Sequence, residues 1–247
     1  MKAMCQTLII SEELNGPPSI GQGGFVAGSL ASAMSCDGPV SVTLKAPTPL
    51  RADLSLETTR TSASLYVDDQ LLASAAPRSP MRHLTPVACP AIKVIEAATA
   101  RYRGHWDKKA FGDCFVCGVK RKDRIALKIF AGPVSDNKAD GVAAFWVPNA
   151  LHGDDEGVVD KRFLWAALDC PGFFAALDDD ELALLANYSV EIYGAPKVND
   201  TLIVVGWPIM RQGRKRTVGT ALYSLDGELL GKAEGLWIQI DAPPEMA

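Results

Sequence analysis

A faint internal duplication constrains the fold of this 247-residue chain more than any single motif does. Three segments of the first half recur in the second half in the same order and with similar spacing, apart from about ten extra residues in the second copy. The first set comprises residues 41–47, 53–56 and 68–75, and the second set comprises residues 189–196, 200–204 and 226–233. Because a repeated sequence unit encodes a repeated structural unit, the chain is predicted to contain two copies of one architecture.

Each recurring segment has the pattern of a β-strand, since apolar and polar residues alternate and Pro, Gly, Asp or Asn stand at the ends. Asp226-Gly227 is the strongest hairpin signal in the chain. A further strand is predicted at the start of each copy, over residues 6–10 and 125–129, and the second copy has another over residues 142–147.

One helical segment precedes the main strands of each copy, over residues 24–34 and 160–169. Both segments are apolar on nearly every side, which indicates helices enclosed by the rest of the fold. Asp160 is expected to cap the second helix, and Pro171-Gly172 to kink or end it. A curved antiparallel sheet wrapped around one buried helix accounts for this order, and two such units are expected to pair edge to edge.

The predicted domain organisation follows from the duplication. Residues 1–78 form the first unit and residues 112–242 the second, with a short tail over residues 243–247. Residues 79–111 join the two units; the prolines of the first part favour an extended chain, and residues 91–103 are predicted to form a helix.

Charge and hydropathy exclude several classes of partner. The chain has 25 Lys and Arg against 29 Asp and Glu, a net charge of −4, so no basic field is available for nucleic acid or an anionic membrane. No apolar run reaches the roughly 18 residues of a spanning helix, and the apolar stretch at residues 8–10 is too short for a signal-peptide core. A cytoplasmic location is therefore expected.

The six cysteines are expected to be free thiols in such a setting. Cys114 and Cys117 have the spacing of half a zinc site, but no second pair completes it in the sequence. We therefore interpret these cysteines as packing thiols, and no metal site is predicted.

Several segments resemble the hotdog fold in the tandem arrangement of the acyl-CoA thioesterase II family. Residues 23–30 open with Gly-Gly like the first helix of that family, residues 44–47 resemble its following strand with a proline, and residues 213–235 resemble its terminal hairpin. Residues 166–170 are similar to the place where phenylacetate-pathway-type hotdog thioesterases carry a catalytic carboxylate, and residues 114–118 resemble a segment that opens some hotdog units. The resemblance implies an α+β fold of two hotdog units and hydrolysis of a coenzyme A thioester without a cofactor.

The sequence also departs from the patterns of hotdog enzymes. The thioesterase II pattern has a glutamine just before the final Glu-Gly, where this chain has Ala233, so the polar trio of that family is incomplete. Hotdog hydratases use an Asp and His pair around the helix, but His83, His105 and His152 all lie outside both predicted helices. Hydratase chemistry is therefore disfavoured.

The predicted active site combines residues from both copies. Asp169 lies about 13 Å along its helix from Asp160, so it cannot serve a carbonyl held at the start of that same helix. We expect Asp169 to activate water or attack directly, while Gly23 and Gly24 offer the N–H groups of the other helix as oxyanion donors. The reverse combination of Ser32 with Asp160 is expected to be a relic.

Each site assignment has a structural alternative. Gly23-Gly24 equally fits a tight turn or a close packing contact, and Asp169 equally fits a capping or ion-pair role. Phe25 is predicted to contact substrate. Arg211, Arg214 and Arg216 are predicted to bind the coenzyme A phosphates, although a solvated hairpin turn explains this cluster as well.

Two functions remain open at this point. The first is an acyl-CoA thioesterase with a single composite site, and the alternative is a non-catalytic protein of the same fold that binds acyl-CoA or another small ligand. Paired hotdog units can also associate through exposed sheet faces, so a homo-oligomer is possible.

Overall fold

The computed structural model describes residues 4–34, 36, 38–102, 112–178 and 181–242. The first half contains strands β1 to β5 and helix α1, in the order β1 Met4–Leu8, α1 Gly23–Ala33, β2 Val40–Leu44, β3 Leu54–Thr58, β4 Ala63–Val67 and β5 Gln70–Pro77. Helix α2, Ile92–Ala100, follows. The second half contains β6 Gly132–Pro133, β7 Val142–Trp146, α3 Lys161–Ala176, β8 Leu182–Ile192, β9 Leu202–Gln212, β10 Lys215–Ser224 and β11 Leu229–Ile240.

The strands form one sheet of 11 strands in the order β1-β3-β4-β5-β2-β8-β11-β10-β9-β7-β6, with antiparallel pairing throughout. The strands of each half are therefore neighbours, and the halves join where β2 pairs with β8 through the register Val40↔Val190 to Thr43↔Asn187. This pairing satisfies backbone groups that would otherwise form two free sheet edges. The expected edge-to-edge pairing of two units is thus observed.

The recurring segments and the hairpin signal agree with the structure, but one early strand does not. Asp226-Gly227 forms the turn between β10 and β11, with Gly227 at φ +85°. Residues 125–129, predicted to be a strand, contribute only isolated bonds from Leu127 N to the Phe115 carbonyl and from Ile129 N to the Val116 carbonyl. Lys128 adopts φ +56°, which interrupts an extended ladder, so that prediction was wrong.

Helices α1 and α3 are buried together on one side of the sheet, in direct contact with each other. Two glycines one turn apart on α1 make this approach possible. A Cβ at Gly24 would lie 2.6 Å from the Asp169 Cβ and 2.7 Å from the Trp165 carbonyl oxygen, and one at Gly28 would lie 2.9 Å from the Trp165 Cβ. Any larger residue at these positions would hold the helices apart.

Helix α3 begins as predicted and ends later than predicted. The Asp160 side chain accepts a hydrogen bond of 2.8 Å from Arg162 N and so caps the helix. The helix continues through Pro171 to Ala176, so of the two outcomes expected at Pro171-Gly172 the helix end was wrong, and the kink stays a prediction. At this point the helix lies close to β9, where a Cβ at Gly206 would lie 2.6 Å from the Pro171 carbonyl oxygen.

The connection between the halves covers the outer face of the second-half sheet. Met81 and Leu84 are buried together with residues of α2, which is the helix predicted over residues 91–103. The buried Lys232 side chain donates hydrogen bonds of 2.8 and 2.9 Å to the Met81 and Leu84 carbonyls. None of the helices in the described ranges is both long and apolar enough to cross a bilayer. The predicted domain boundaries themselves stay a prediction.

The helix contact makes a specific prediction for Gly24. We expect Gly24→Ala to lower the free energy of unfolding by about 1–3 kcal/mol, because the new methyl group meets backbone and Cβ atoms of α3 that cannot rotate away. Urea denaturation measures this change. Gly23→Ala is the matched control, since a Cβ there meets only side-chain atoms, those of Leu185 nearest at 3.3 Å, and no backbone atom among its nearest neighbours. Equal stability of the two variants would contradict the proposed helix contact.

Candidate active site

A cavity of about 270 Å³ opens where the start of α1 meets the second half of α3. Its floor and walls are mostly apolar, and its residues come from both halves of the chain. The main contributors are Ile20, Val26, Leu44, Phe173, Phe174, Leu185, Trp237 and Ile238, together with the polar or thiol residues Gln22, Asp169, Cys114, Cys117 and Cys170. An apolar cleft with a few polar groups is the usual form of a small-molecule site.

Asp169 is the carboxylate of this cavity and is only 3 % exposed. Its Oδ2 accepts a hydrogen bond of 2.8 Å from Gly24 N, at the start of α1, and a second one from the Gln22 side-chain amide. Among the described residues, the other oxygen, Oδ1, has no hydrogen-bond partner. One oxygen is thus fixed by the protein, whereas the other is buried without a hydrogen bond to the described residues.

Burial determines the acidity of this group. Desolvation raises the pKa of Asp169 to about 8, with a smaller contribution in the same direction from Cys114, and the hydrogen bonds from Gly24 and Gln22 act in the opposite direction. A carboxyl group with a pKa raised by burial inside a cleft is typical of proton transfer.

The structure brings Asp169 and Gly23-Gly24 together at the seam between the halves, as the sequence analysis expected, but in a different arrangement. Gly24 N is bonded to Asp169 itself, so Gly24 is not a free oxyanion donor. The alternative of a close packing contact describes Gly24 correctly. Gly23 N has no acceptor among the described residues, and Gly23 lies on the cavity wall. The free donor at the start of α1 is therefore Gly23.

Gln22 is a site residue that the sequence analysis missed. It is the N-cap of α1, where its Oε1 accepts a hydrogen bond of 2.6 Å from Phe25 N while its amide group donates to Asp169. The same amide lies 3.8 Å from the Cys170 sulfur. Its position directly before Gly23-Gly24 was the available signal, because the N-cap side chain points at the first turn of the helix.

Phe25 does not line the cavity, contrary to the substrate-binding role predicted for it. The ring is buried in the core and packs against Phe115 and Phe163 with centroid distances of 5.9 and 5.4 Å. The helical pattern identified this residue as apolar but could not show which side of α1 it occupies.

The three predicted phosphate-binding arginines lie at the β9–β10 hairpin, which turns at Gly213 with φ +55°. Arg216 is only 2 % exposed and donates to Glu181, Gln239 and the Gly213 carbonyl, so its terminal nitrogens are already bonded inside the protein. Arg216 therefore has a structural role and not the predicted role in phosphate binding.

Arg211 and Arg214 are exposed. Arg211 pairs with Asp178 and Glu181, which lie between α3 and β8. Arg214 donates a hydrogen bond of 2.9 Å to the carbonyl of Gln239, whose neighbours Ile238 and Ile240 line the cavity. Arg214 thus lies beside the strand that forms the cavity rim.

The described histidines lie outside the cavity. His152 is buried and holds the turn before α3, with Nδ1 accepting from Asn149 N and Nε2 donating to the Ile125 carbonyl, both at 3.0 Å. Burial lowers its pKa, so the neutral ring is favoured. His83 is exposed and pairs with Glu234, and His105 lies outside the described residues.

The opposite ends of the two helices border a second cavity of about 420 Å³, which contains Ser32 and Lys161. The carboxylate of Asp160 is not available there, because it caps its own helix and is bonded to the Arg162 guanidinium. The two ends of the helix pair thus differ chemically, as the duplication analysis expected.

No protein-family model and no curated protein matches the chain. Solved structures do match it. A tesB protein of Mycobacterium avium subspecies paratuberculosis is 14 % identical with a TM-score of 0.61, over 97 % of this chain and 93 % of that one. A protein of unknown function with the hotdog fold from Alicyclobacillus acidocaldarius is also 14 % identical with a TM-score of 0.60, over 98 % and 94 %.

The acyl-CoA thioesterase II TesB2 of Mycobacterium marinum is 10 % identical with a TM-score of 0.57, over 88 % of each chain. These structural similarities extend over most or nearly all of the chain, whereas the sequence identity is low. Together with the 11-stranded sheet and its two buried helices, they show that this chain has the α+β tandem hotdog fold, shared with TesB-type thioesterases.

Proposed function

We propose that this chain hydrolyses acyl-CoA thioesters in the cavity between α1 and α3. The observation that carries the proposal is the buried carboxylate of Asp169, with one oxygen held by Gly24 N and Gln22 and the other without a partner among the described residues. This carboxylate lies beside the start of α1, where the positive end of the helix dipole favours negative charge. The fold similarity to thioesterases supports the same reaction class.

The geometry supports general-base hydrolysis. A water bound to Asp169 Oδ1 would lose a proton to the carboxylate while its oxygen attacks the thioester carbonyl carbon. The resulting oxyanion would be stabilised by the N–H of Gly23 and the α1 dipole. Collapse of the intermediate breaks the carbon–sulfur bond, and the departing thiolate takes the proton back from Asp169. The other role considered for Asp169 is direct attack on the thioester. In that case, hydrolysis in isotopically labelled water would place oxygen from the water in the aspartate side chain.

The cavity walls indicate where the parts of the substrate lie. The apolar side chains around Phe173 and Trp237 suit a hydrocarbon chain rather than a charged group. The nucleotide phosphates would remain outside, where Arg214 is exposed beside the rim residues Ile238 and Ile240. We therefore propose Arg214 as the phosphate contact; Arg211, already paired with two carboxylates, is a weaker candidate.

One observation favours the alternative of a binding protein without turnover. Ala233, where the thioesterase II pattern has a glutamine, is fully buried and cannot supply an amide group. In this chain the amide group beside the carboxylate comes from Gln22 instead. Catalytic release of coenzyme A distinguishes a thioesterase from a protein that only binds acyl-CoA.

We expect Asp169→Asn to reduce kcat for acyl-CoA hydrolysis by about 10²- to 10⁴-fold, the usual contribution of a general base. The asparagine has the same shape and can still accept hydrogen bonds from Gly24 and Gln22, but it cannot take a proton. Release of coenzyme A thiol, followed with a thiol reagent against an enzyme-only baseline, measures the effect.

Asp160→Asn is the matched control for this substitution. It alters the acid at the start of α3 and should leave turnover unchanged, since Asp160 only caps that helix and pairs with Arg162. Undiminished turnover in Asp169→Asn would refute the assignment. Saturable binding of acyl-CoA to the wild-type chain without release of thiol would establish the binding function instead.

We expect Arg214→Ala to raise KM for an acyl-CoA by about 2- to 5-fold with little change in kcat, because an exposed ion pair contributes up to about 1 kcal/mol. The KM for the matching acyl N-acetylcysteamine thioester, which lacks the nucleotide, should not change. Arg60→Ala, in the exposed turn between β3 and β4, is the control. An equal effect on both substrates would exclude a phosphate contact.

A further inference from the structure

Three buried thiols form a cluster that the proposed hydrolysis does not use. Cys114, Cys117 and Cys170 have their sulfur atoms within 4.8 Å of one another, and the sulfurs of Cys114 and Cys170 are 3.9 Å apart. The first two come from the segment before β6 and the third from α3. The Cys114–Cys117 spacing alone resembles only half a zinc site, because α3 supplies the third sulfur from more than 50 residues away.

A tight turn carries Cys114 and Cys117. Gly118 closes the turn with a bond of 2.8 Å from its N–H to the Cys114 carbonyl, where a Cβ would lie 2.5 Å from that oxygen. The turn thus presents two cysteines three residues apart, the spacing that recurs in tetrahedral thiolate metal sites.

The same turn is fixed in place by the surrounding chain. Phe115 N donates to the Asn15 carbonyl at 2.9 Å, and the Tyr102 hydroxyl donates to the Cys117 carbonyl at 2.7 Å. The two bonds from Leu127 N and Ile129 N attach to the carbonyls of Phe115 and Val116. Two sulfurs are thereby held rigidly against a third on a buried helix, so little conformational entropy remains to be lost on binding a ligand.

The distances fit a tetrahedral thiolate site. Zinc–sulfur bonds of about 2.3 Å place the sulfurs of such a site about 3.8 Å apart. The Cys114 and Cys170 sulfurs already have this separation, and the remaining pairs need to close by at most about 1 Å. Simple packing explains the burial of three thiols, since cysteine behaves as a small apolar residue. It does not require sulfurs from the Cys114 turn and from α3 to converge within 4.8 Å of one another.

We propose that Cys114, Cys117 and Cys170 bind one Zn²⁺, with the fourth coordination position open to the cavity. All three residues line that cavity, so a water molecule or a ligand thiol can reach the metal. The Gln22 amide, 3.8 Å from the Cys170 sulfur, is placed to orient this ligand and to balance the negative charge of the thiolates. The bound metal would join the Cys114 turn to α3 beside Asp169. The inference does not depend on the proposed hydrolysis.

Metal content of the full chain tests this proposal directly. Protein purified with a phosphine reductant and without chelator should contain stoichiometric Zn²⁺ by mass spectrometry, and replacement by Co²⁺ should give the sulfur-to-cobalt charge-transfer and ligand-field bands of a tetrahedral thiolate site. Cys117→Ser should weaken Zn²⁺ binding at least about 10-fold. Cys89→Ser, a half-buried thiol outside the cluster, should bind Zn²⁺ like the wild-type chain.

A second measurement keeps the proposal testable if Cys117→Ser does not fold. The reduced wild-type chain, stripped with a chelator, should show a higher Tm on addition of Zn²⁺, because the metal binds the folded state. Failure of the reduced wild-type chain to bind either Zn²⁺ or Co²⁺ would overturn the proposal. So would a folded Cys117→Ser variant that binds Zn²⁺ as tightly as the wild-type chain. Neither result depends on thioester turnover.

Discussion

The direct contact between α1 and α3 is the constraint on which the rest of the structure depends. Gly24 and Gly28 remove the side chains that would separate the helices, so the carboxylate of Asp169 reaches the first turn of α1. Burying a carboxyl group is costly unless it gains hydrogen bonds. The bonds from Gly24 N and Gln22, together with the helix dipole, offset that cost at one oxygen, whereas the other has no partner in the described part of the chain.

The duplication gives the two halves of the chain the same fold. The side chains at corresponding positions differ, so the two ends of the helix pair differ in their chemistry. Both copies place a buried helix against a curved sheet, and the copies join through β2 and β8. At one end of the helix pair, Asp169 faces the glycine-rich start of α1. At the other end, Asp160 is used as a cap and paired with Arg162. This asymmetry is the reason that we propose one composite site per chain.

Local patterns predicted the two buried helices, the main strands and the Asp226-Gly227 turn, because periodicity and turn residues depend on the nearby chain. The meeting of Asp169 with the diglycine was expected from the duplication and from the resemblance to hotdog thioesterases. Local patterns could not predict which long-range partner each group finds. Three features depend on contacts between residues that are distant in sequence. They are the hydrogen bond from Gly24 N to Asp169, the burial of Arg216 against Glu181, and the third thiol of the cluster. The left-handed conformation of Lys128 had no sequence signal either.

The most direct test of the central claim is a crystal structure with a non-hydrolysable thioether analogue of acyl-CoA. The account predicts that the carbon taking the place of the thioester carbonyl lies in the cavity between α1 and α3, within reach of both Gly23 N and Asp169 Oδ1, with the phosphates near Arg214. An analogue bound in the cavity that contains Ser32 and Lys161, or on the outer face of the sheet, would contradict the account.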